Sequence, residues 1–107
     1  MRKGVLHGML QTVQFLNALA EPTRLAAVRL LWDGAEHCLC ELMAELGATQ
    51  SRMSRHMAAL KQVGLVVDRR DAQWVRYRRN PDLSPAAAAM VDAVLLSIPE
   101  LEMQRAA

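Results

Sequence analysis

The sequence predicts a mainly α-helical fold with one small β-hairpin, assembled as a dimer. Five segments have the length and apolar spacing of helices, and two short runs rich in β-branched and aromatic residues flank a polar turn. The last helical segment is too apolar for so short a chain to cover by itself. With 107 residues, 52% of them hydrophobic, we expect one domain that covers residues 1–107.

The first three helices are predicted from apolar stripes and from residues that begin or end helices. Residues 5–19 form an amphipathic helix, and Pro22 suits the first turn of a second helix, which should stop at Gly34. The third helix is predicted from about His37 to Leu46, with Gly47 as its C-terminal cap. The stripe of the first helix consists of Leu6, Met9, Leu10, Val13, Leu16 and Leu19.

The fourth helix is predicted to have two faces of different character. Thr49 is its N-cap and Gly64 ends it. One face is predicted to be buried, and the opposite face carries short or hydrogen-bonding side chains. No acidic residue lies between Glu45 and Asp68. Because a helix that needs only solubility more often carries Glu/Lys pairs, the polar face is typical of a binding surface. The buried face consists of Met53, Met57 and Leu60.

A basic hairpin follows the fourth helix. Residues 65–79 are predicted to pair around the turn Asp71-Ala72-Gln73, with Trp74 and Tyr77 in the hairpin core. Residues 52–79 carry eight basic and two acidic side chains, whereas acids outnumber bases in the rest of the chain. This asymmetry favours a polyanionic partner at one face, and the alternative is a solvated arginine-rich surface.

The last helix, residues 84–98, has Asp92 as its only charged residue. We expect this helix and the first to pack against a second copy of the chain. No apolar run reaches the ~18 residues of a membrane span, and the first residues lack the plan of a secretory signal, so we expect a cytoplasmic protein. An enzyme is excluded for want of a Ser/His/Asp arrangement, a glycine-rich phosphate loop or a paired-carboxylate pocket.

The order of helix, glycine turn, helix and basic hairpin predicts a winged helix-turn-helix, with the helix-turn-helix at about 37–64 and the wing at about 65–79. The first turns of the fourth helix would meet base edges in a major groove, and the wing would meet phosphates or the minor groove. His56 remains open between a phosphate contact and helix packing, and His7 and His37 are expected at the surface. The predicted DNA contacts are Gln50, Ser51, Ser54, Arg55, Arg69, Arg70 and Gln73.

Five motifs together resemble the ArsR/SmtB family of metal-sensing repressors. They read AEPTRL at 20–25, CLCEL at 38–42, QSRMSRHM at 50–57, GLV at 64–66 and WVRY at 74–77. The similarity covers about residues 15–98. It implies a homodimer whose first and last helices form the interface. It also implies that the dimer binds double-stranded operator DNA without a cofactor and releases it when a metal or metalloid binds.

Cys38 and Cys40 resemble the arsenite-sensing box of this family and are the predicted metal ligands. The box commonly has a third cysteine where this chain has Met43, so As(III) or Sb(III) would find two thiolates and an unassigned third ligand. The family's other site, on the last helix, is discounted because that helix contains Asp92 but no histidine. The alternatives are a thiol redox or other soft-metal sensor, a winged-helix protein-interaction module, and two buried structural cysteines.

The sequence also leads to an expectation about how an inducer acts. If Cys38 and Cys40 were both helical they would lie about 200° apart, since each residue of a helix turns by ~100°. We therefore expect reduced, near-helical cysteines without inducer, and unwinding of the first turn of the third helix when arsenic binds both sulfurs.

Overall fold

The computed structural model describes the backbone of residues 3–99 and the side chains of residues 7–99. Within this part of the chain, the five predicted helices and the two strands of the hairpin follow one another in the predicted order, and the prediction of a mainly α-helical fold with a β-hairpin wing is confirmed. The elements are α1 (Lys3–Leu19), α2 (Pro22–Leu31), β1 (His37–Cys38), α3 (Leu39–Leu46), α4 (Gln50–Gln62), β2 (Val66–Asp71), β3 (Trp74–Arg79) and α5 (Pro85–Ser97).

The strand β1 was not predicted. It pairs antiparallel with β3, with His37 opposite Tyr77 and Cys38 opposite Arg76, so the wing is a three-stranded sheet in the order β1-β3-β2. The predicted start of the third helix near His37 is therefore wrong, because α3 begins at Leu39 and Cys38 is its extended N-cap. A two-residue strand has no periodicity of its own, and its partners lie 40 residues (Tyr77) and 38 residues (Arg76) further along the chain.

Short polar side chains fix where the helices begin. The side chains of Thr49 and Ser84 accept hydrogen bonds from the backbone N–H groups of Arg52 and Ala87 at 3.3 and 3.1 Å. Such N-caps satisfy donors that have no partner inside the helix. Gly47, with φ of 64°, ends α3 in the left-handed conformation that glycine adopts without steric cost.

The core is aliphatic and lies between the helices and the inner face of the sheet. The predicted buried face of α4 is confirmed, since Met53, Met57 and Leu60 are fully buried. Tyr77 also packs in the core, as predicted. Trp74 does not, because it begins β3 at the tip of the wing, where its side chain is 43% exposed.

Two helices leave apolar surface uncovered in the single chain. α1 buries Phe15, Ala18 and Leu19, whereas its other apolar stripe, Met9, Leu10, Val13 and Leu16, is 44–51% exposed. Along α5, Val91 is buried and Leu96 is 86% exposed. Among residues 3–99, no helix combines the length and the apolar character that crossing a membrane requires.

Candidate nucleic-acid interface and cysteine pair

The turn between α3 and α4 is held by backbone hydrogen bonds. Gly47 N–H donates to Met43 O at 2.9 Å, and Ala48 N–H donates to the same oxygen at 3.3 Å. Thr49 then caps α4 directly, and Met53 N–H donates to Thr49 O at 2.9 Å. Each residue of the turn Gly47-Ala48-Thr49 thus makes a hydrogen bond to α3 or α4. Because the turn is held in this way, it fixes the angle between the two helices.

The first two turns of α4 present polar side chains to solvent. Gln50, Ser51 and Arg55 are exposed, and Ser54 is half-buried. In the described part of the chain, none of these four side chains makes a hydrogen bond. The structure therefore brings together the four α4 residues that the sequence predicted, with their donors and acceptors unoccupied.

The opposite side of α4 is anchored by Arg24 and Glu21. Arg24 Nε donates to Ala18 O at 2.6 Å, and Arg24 Nη1 lies 3.4 Å from His56 Nδ1. Glu21 Oε2 lies 3.6 Å from the same His56 nitrogen. His56 thus packs between helices. Burial opposes ionisation of Glu21, but backbone N–H groups of α2 and the nearby positive charges hold its pKa below the ordinary value.

Three basic side chains of the 52–79 segment are neutralised by acids of the same chain. Arg69 binds Glu36 through two hydrogen bonds, Nε to Oε2 at 2.7 Å and Nη2 to Oε1 at 2.8 Å. These bonds lower the pKa of Glu36 and raise that of Arg69. The other two pairs are Arg76–Asp71 and Lys61–Asp68, each at 3.0 Å.

One further arginine of the 52–79 segment contacts an aromatic ring, and the remaining arginines of the segment have no partner among the described residues. The guanidinium of Arg79 lies 3.6 Å from the ring centroid of Trp32, a cation–π contact. Arg52, Arg55, Arg70 and Arg78 are exposed, and their side chains have no ionic or hydrogen-bonding partner among the described residues. The free positive charge is therefore divided between α4 and the wing. Gln73, in the turn of the wing, is exposed as well.

Cys38 and Cys40 lie where the wing sheet meets α3. Cys38 is buried, Cys40 is exposed, and a disulfide joins them across a Cα–Cα distance of 5.3 Å. The expectation of reduced cysteines is wrong for this structure. The expected near-helical backbone is found at Cys40, which lies in the first turn of α3, but not at Cys38, which is extended. The expected unwinding is also unnecessary, because Cys38 precedes the helix in extended backbone and the two sulfurs meet while α3 stays intact.

The sulfur of Cys38 is also the N-cap acceptor of α3. Glu41 N–H donates to Cys38 Sγ at 3.2 Å, and Cys38 N–H donates to Glu41 Oε1 at 3.2 Å. This reciprocal pair is a capping box in which sulfur replaces the usual hydroxyl. The same atom that the sequence singles out as a metalloid ligand therefore holds the first turn of α3 in place.

The surroundings of the two sulfurs bear on a third ligand. Among the described residues, no cluster of three or more His, Cys, Asp or Glu side chains has the arrangement of a metal site. Met43 packs against the core. His37 is not the plain surface residue that the sequence indicated. Its Nδ1 lies 3.3 Å from Glu41 Oε2, and its Nε2 is buried with no hydrogen-bond partner among residues 7–99.

Comparison with known proteins gives one family and one fold. Residues 21–67 match the family model described as "Bacterial regulatory protein, arsR family". The "Arsenical resistance operon repressor" of Escherichia coli K12 is 40% identical over 80 residues, which are 75% of this chain and 68% of that protein. Reduced HlyU from Vibrio cholerae matches with a TM-score of 0.75 and 29% identity, covering 92% of this chain and 100% of the other. A homodimeric winged helix-turn-helix DNA-binding domain from Mycobacterium bovis, 24% identical, matches in fold with a TM-score of 0.77 over 91% of this chain and 86% of its own.

Proposed function

The chain belongs to the ArsR family of DNA-binding transcriptional repressors, which are not enzymes, and we propose that it leaves its operator when As(III) or Sb(III) binds Cys38 and Cys40. The observation that carries the proposal is the position of Cys38 Sγ, which caps the first helix of the helix-turn-helix. The Escherichia coli relative is an arsenical resistance operon repressor, which supports the choice of inducer. We place this activity in the cytoplasm.

The proposed DNA contacts are the free polar groups of α4 and of the wing tip. Gln50, Ser51, Ser54 and Arg55 would enter a major groove, where arginine pairs with guanine and glutamine with adenine. Arg70 and Gln73 would contact the backbone or the minor groove from the wing. Arg69, in contrast, would have to leave its ion pair with Glu36 before it could reach a phosphate.

We propose that the operator-binding form is a homodimer. The exposed stripe of α1 is a contiguous apolar surface of a kind that single chains seldom leave in water. The Mycobacterium bovis domain with the same fold is itself homodimeric. A dimer would place two copies of α4 to read half-sites about 34–36 Å apart, a spacing that tolerates little movement of either helix.

Binding of the metalloid requires both cysteines in the reduced, deprotonated form. A position at a helix N-terminus favours the thiolate, which suits Cys38 and Cys40 to this role. An As(III) ion bonded to both sulfurs would hold them further apart than the disulfide does, and so would draw Cys38 Sγ away from the Glu41 N–H that now donates to it. We propose that this loss of the cap, rather than unwinding of the helix, shifts α3 and with it α4. A hydroxide can supply the third ligand.

The test is operator release measured with As(III), Sb(III), Cd(II), Zn(II) and peroxide in parallel, on protein that has been reduced with a phosphine and then freed of it. We expect release by As(III) and Sb(III) at the lowest concentrations. Cys38→Ser and Cys40→Ser should each bind operator and stay bound in the presence of As(III). Release of either variant at the wild-type arsenite concentration would place the sensing site elsewhere.

A thiol redox sensor is the second candidate, and the disulfide between Cys38 and Cys40 favours it. Peroxide would take two electrons from the two thiols, form the S–S bond and leave as two molecules of water. Release by peroxide without release by As(III) would support this candidate against the first. A salt-independent or absent gel shift would instead indicate the protein-interaction module.

A further inference from the structure

Residues 36–38 contact the wing at two separate points. Backbone hydrogen bonds join β1 to β3, with Cys38 opposite Arg76. One residue before β1, the carboxylate of Glu36 holds Arg69 of β2 through two hydrogen bonds of 2.7 and 2.8 Å. The cysteine pair is therefore connected to both long strands of the wing, in addition to its contact with α3.

We propose that the Glu36–Arg69 pair is a positioning pair that transmits the state of Cys38 and Cys40 to the wing, so that Arg69 serves the sensor instead of binding a phosphate. This inference rests on the proposed function, since it assumes that the wing contacts DNA. It adds a route from the cysteines to DNA that does not pass through α3 and α4.

The geometry suits a mechanical link. A two-pronged guanidinium–carboxylate contact fixes orientation as well as distance, which a single ion pair does not. The β1–β3 pairing spans only two residues, so without Glu36 the start of α3 could move while the hairpin stayed in place. Glu36 keeps its negative charge at neutral pH because the hydrogen bonds from Arg69 lower its pKa.

A different role for Arg69 predicts the opposite result. If Arg69 bound a phosphate and Glu36 merely competed with DNA, Glu36→Gln would free the guanidinium. Operator affinity would then rise, and its dependence on salt would steepen by about 0.9 for each additional phosphate that the protein neutralises. If the pair instead positions the wing, Glu36→Gln should change operator affinity little and should weaken the effect that operator and cysteines have on each other.

The experiment uses the reciprocity of linked sites. If the cysteines affect DNA binding, then DNA must affect the cysteines by the same free energy. In the Cys40→Ser background, reduced Cys38 is the single thiol of the chain. The equilibrium constant for its exchange with a small aromatic disulfide is measured with and without saturating operator duplex. We expect operator to change this equilibrium constant by about 5-fold or more, the lower range of measured couplings.

The variants isolate the ion pair. Glu36→Gln and Arg69→Gln should each reduce the operator effect on Cys38 by ~2-fold or more, leaving the part that passes through α3 and α4. The charge-swapped double variant Glu36→Arg/Arg69→Glu should restore part of the loss. Asp71→Asn is the matched control, because it breaks the other wing ion pair, to Arg76, without touching Glu36. Both residues of the tested pair lie at the surface, and thermal melting checks that each variant folds.

The link is overturned by any of these results: an exchange equilibrium of Cys38 that operator does not change, a stronger operator affinity in Glu36→Gln, or an Asp71→Asn variant that loses the effect equally. The same variants are then titrated with As(III). Release that is equal in wild type and Glu36→Gln would also remove the link while leaving the proposed function intact. If operator affects Cys38 but As(III) does not release the protein from operator, the link stands and the proposed inducer is wrong.

Discussion

Replacing Cys38 separates its role as helix cap from its role as ligand. Cys38→Ala removes the acceptor for Glu41 N–H, whereas Cys38→Ser keeps an acceptor and removes the sulfur. Loss of an N-cap costs about 1 kcal/mol, so a dimer would lose about 2 kcal/mol at its two helices. Since ~1.4 kcal/mol corresponds to tenfold, Cys38→Ala should weaken operator binding by at most about 30-fold without any inducer.

The assay is fluorescence anisotropy of a labelled operator duplex, under phosphine reduction, with thermal melting in parallel. Cys38→Ala should bind more weakly and melt earlier, and Cys38→Ser should resemble the wild type in both measurements. Cys40→Ala is the control, since the exposed Cys40 side chain caps nothing. If Cys38→Ala and Cys40→Ala bind operator equally well, the cap does not position α3 for DNA, and the proposed release mechanism is wrong.

The other predictions concern the dimer, the recognition helix and the wing. Leu10→Glu combined with Leu16→Glu should give a monomer in sedimentation and abolish operator binding, because both side chains belong to the exposed stripe of α1. Arg55→Ala should lose about 1–3 kcal/mol of binding free energy on operator and much less on a random duplex, with both affinities measured by anisotropy. Burial and then Asp68 raise the pKa of Tyr77, so its contribution to stability is present below the ordinary pKa near 10 and is lost as the pH rises through the folded value. As the pH rises above about 10, the free energy of unfolding from urea titrations should therefore fall less in Tyr77→Phe than in wild type. An equal fall in both proteins would show that ionisation of Tyr77 does not cause the loss.

Most of the fold was predictable because its signals are local. Apolar spacing and capping residues placed five helices, and the hairpin followed from its turn. The strand β1 and the ion pair of Glu36 were not predictable, because each depends on a partner far along the chain. Trp74 was assigned to the core on residue type alone, whereas its place at the hairpin tip decides its exposure.

The candidate site was predictable where exposure follows helix geometry and unpredictable where it depends on charge pairing. The polar face of α4 needed only the helix period and the buried Met53 and Met57. The wing arginines are alike in sequence, but Arg70 lies on the same face of the hairpin as Tyr77, and Arg69 lies on the opposite face beside Glu36. A shift of one residue along a strand therefore separates a free charge from a neutralised one.

The charge that DNA would meet is smaller than the sequence suggests, and its arrangement is more specific. Acids of the chain hold Arg69, Arg76 and Lys61, and Trp32 holds Arg79, so half of the basic segment serves the protein's own structure. What remains free is one group of arginines on α4 and another on the wing. Non-specific binding to a polyanion requires only many positive charges. A contact made by so few groups depends on the positions of α4 and of the wing. This dependence would make the proposed release possible. Because each phosphate contact contributes about 0.9 to the salt slope, moving α4 or the wing in both protomers of the proposed dimer would remove a large share of the total affinity. A repressor that bound through all of its basic residues would be far less sensitive to a small displacement at Cys38.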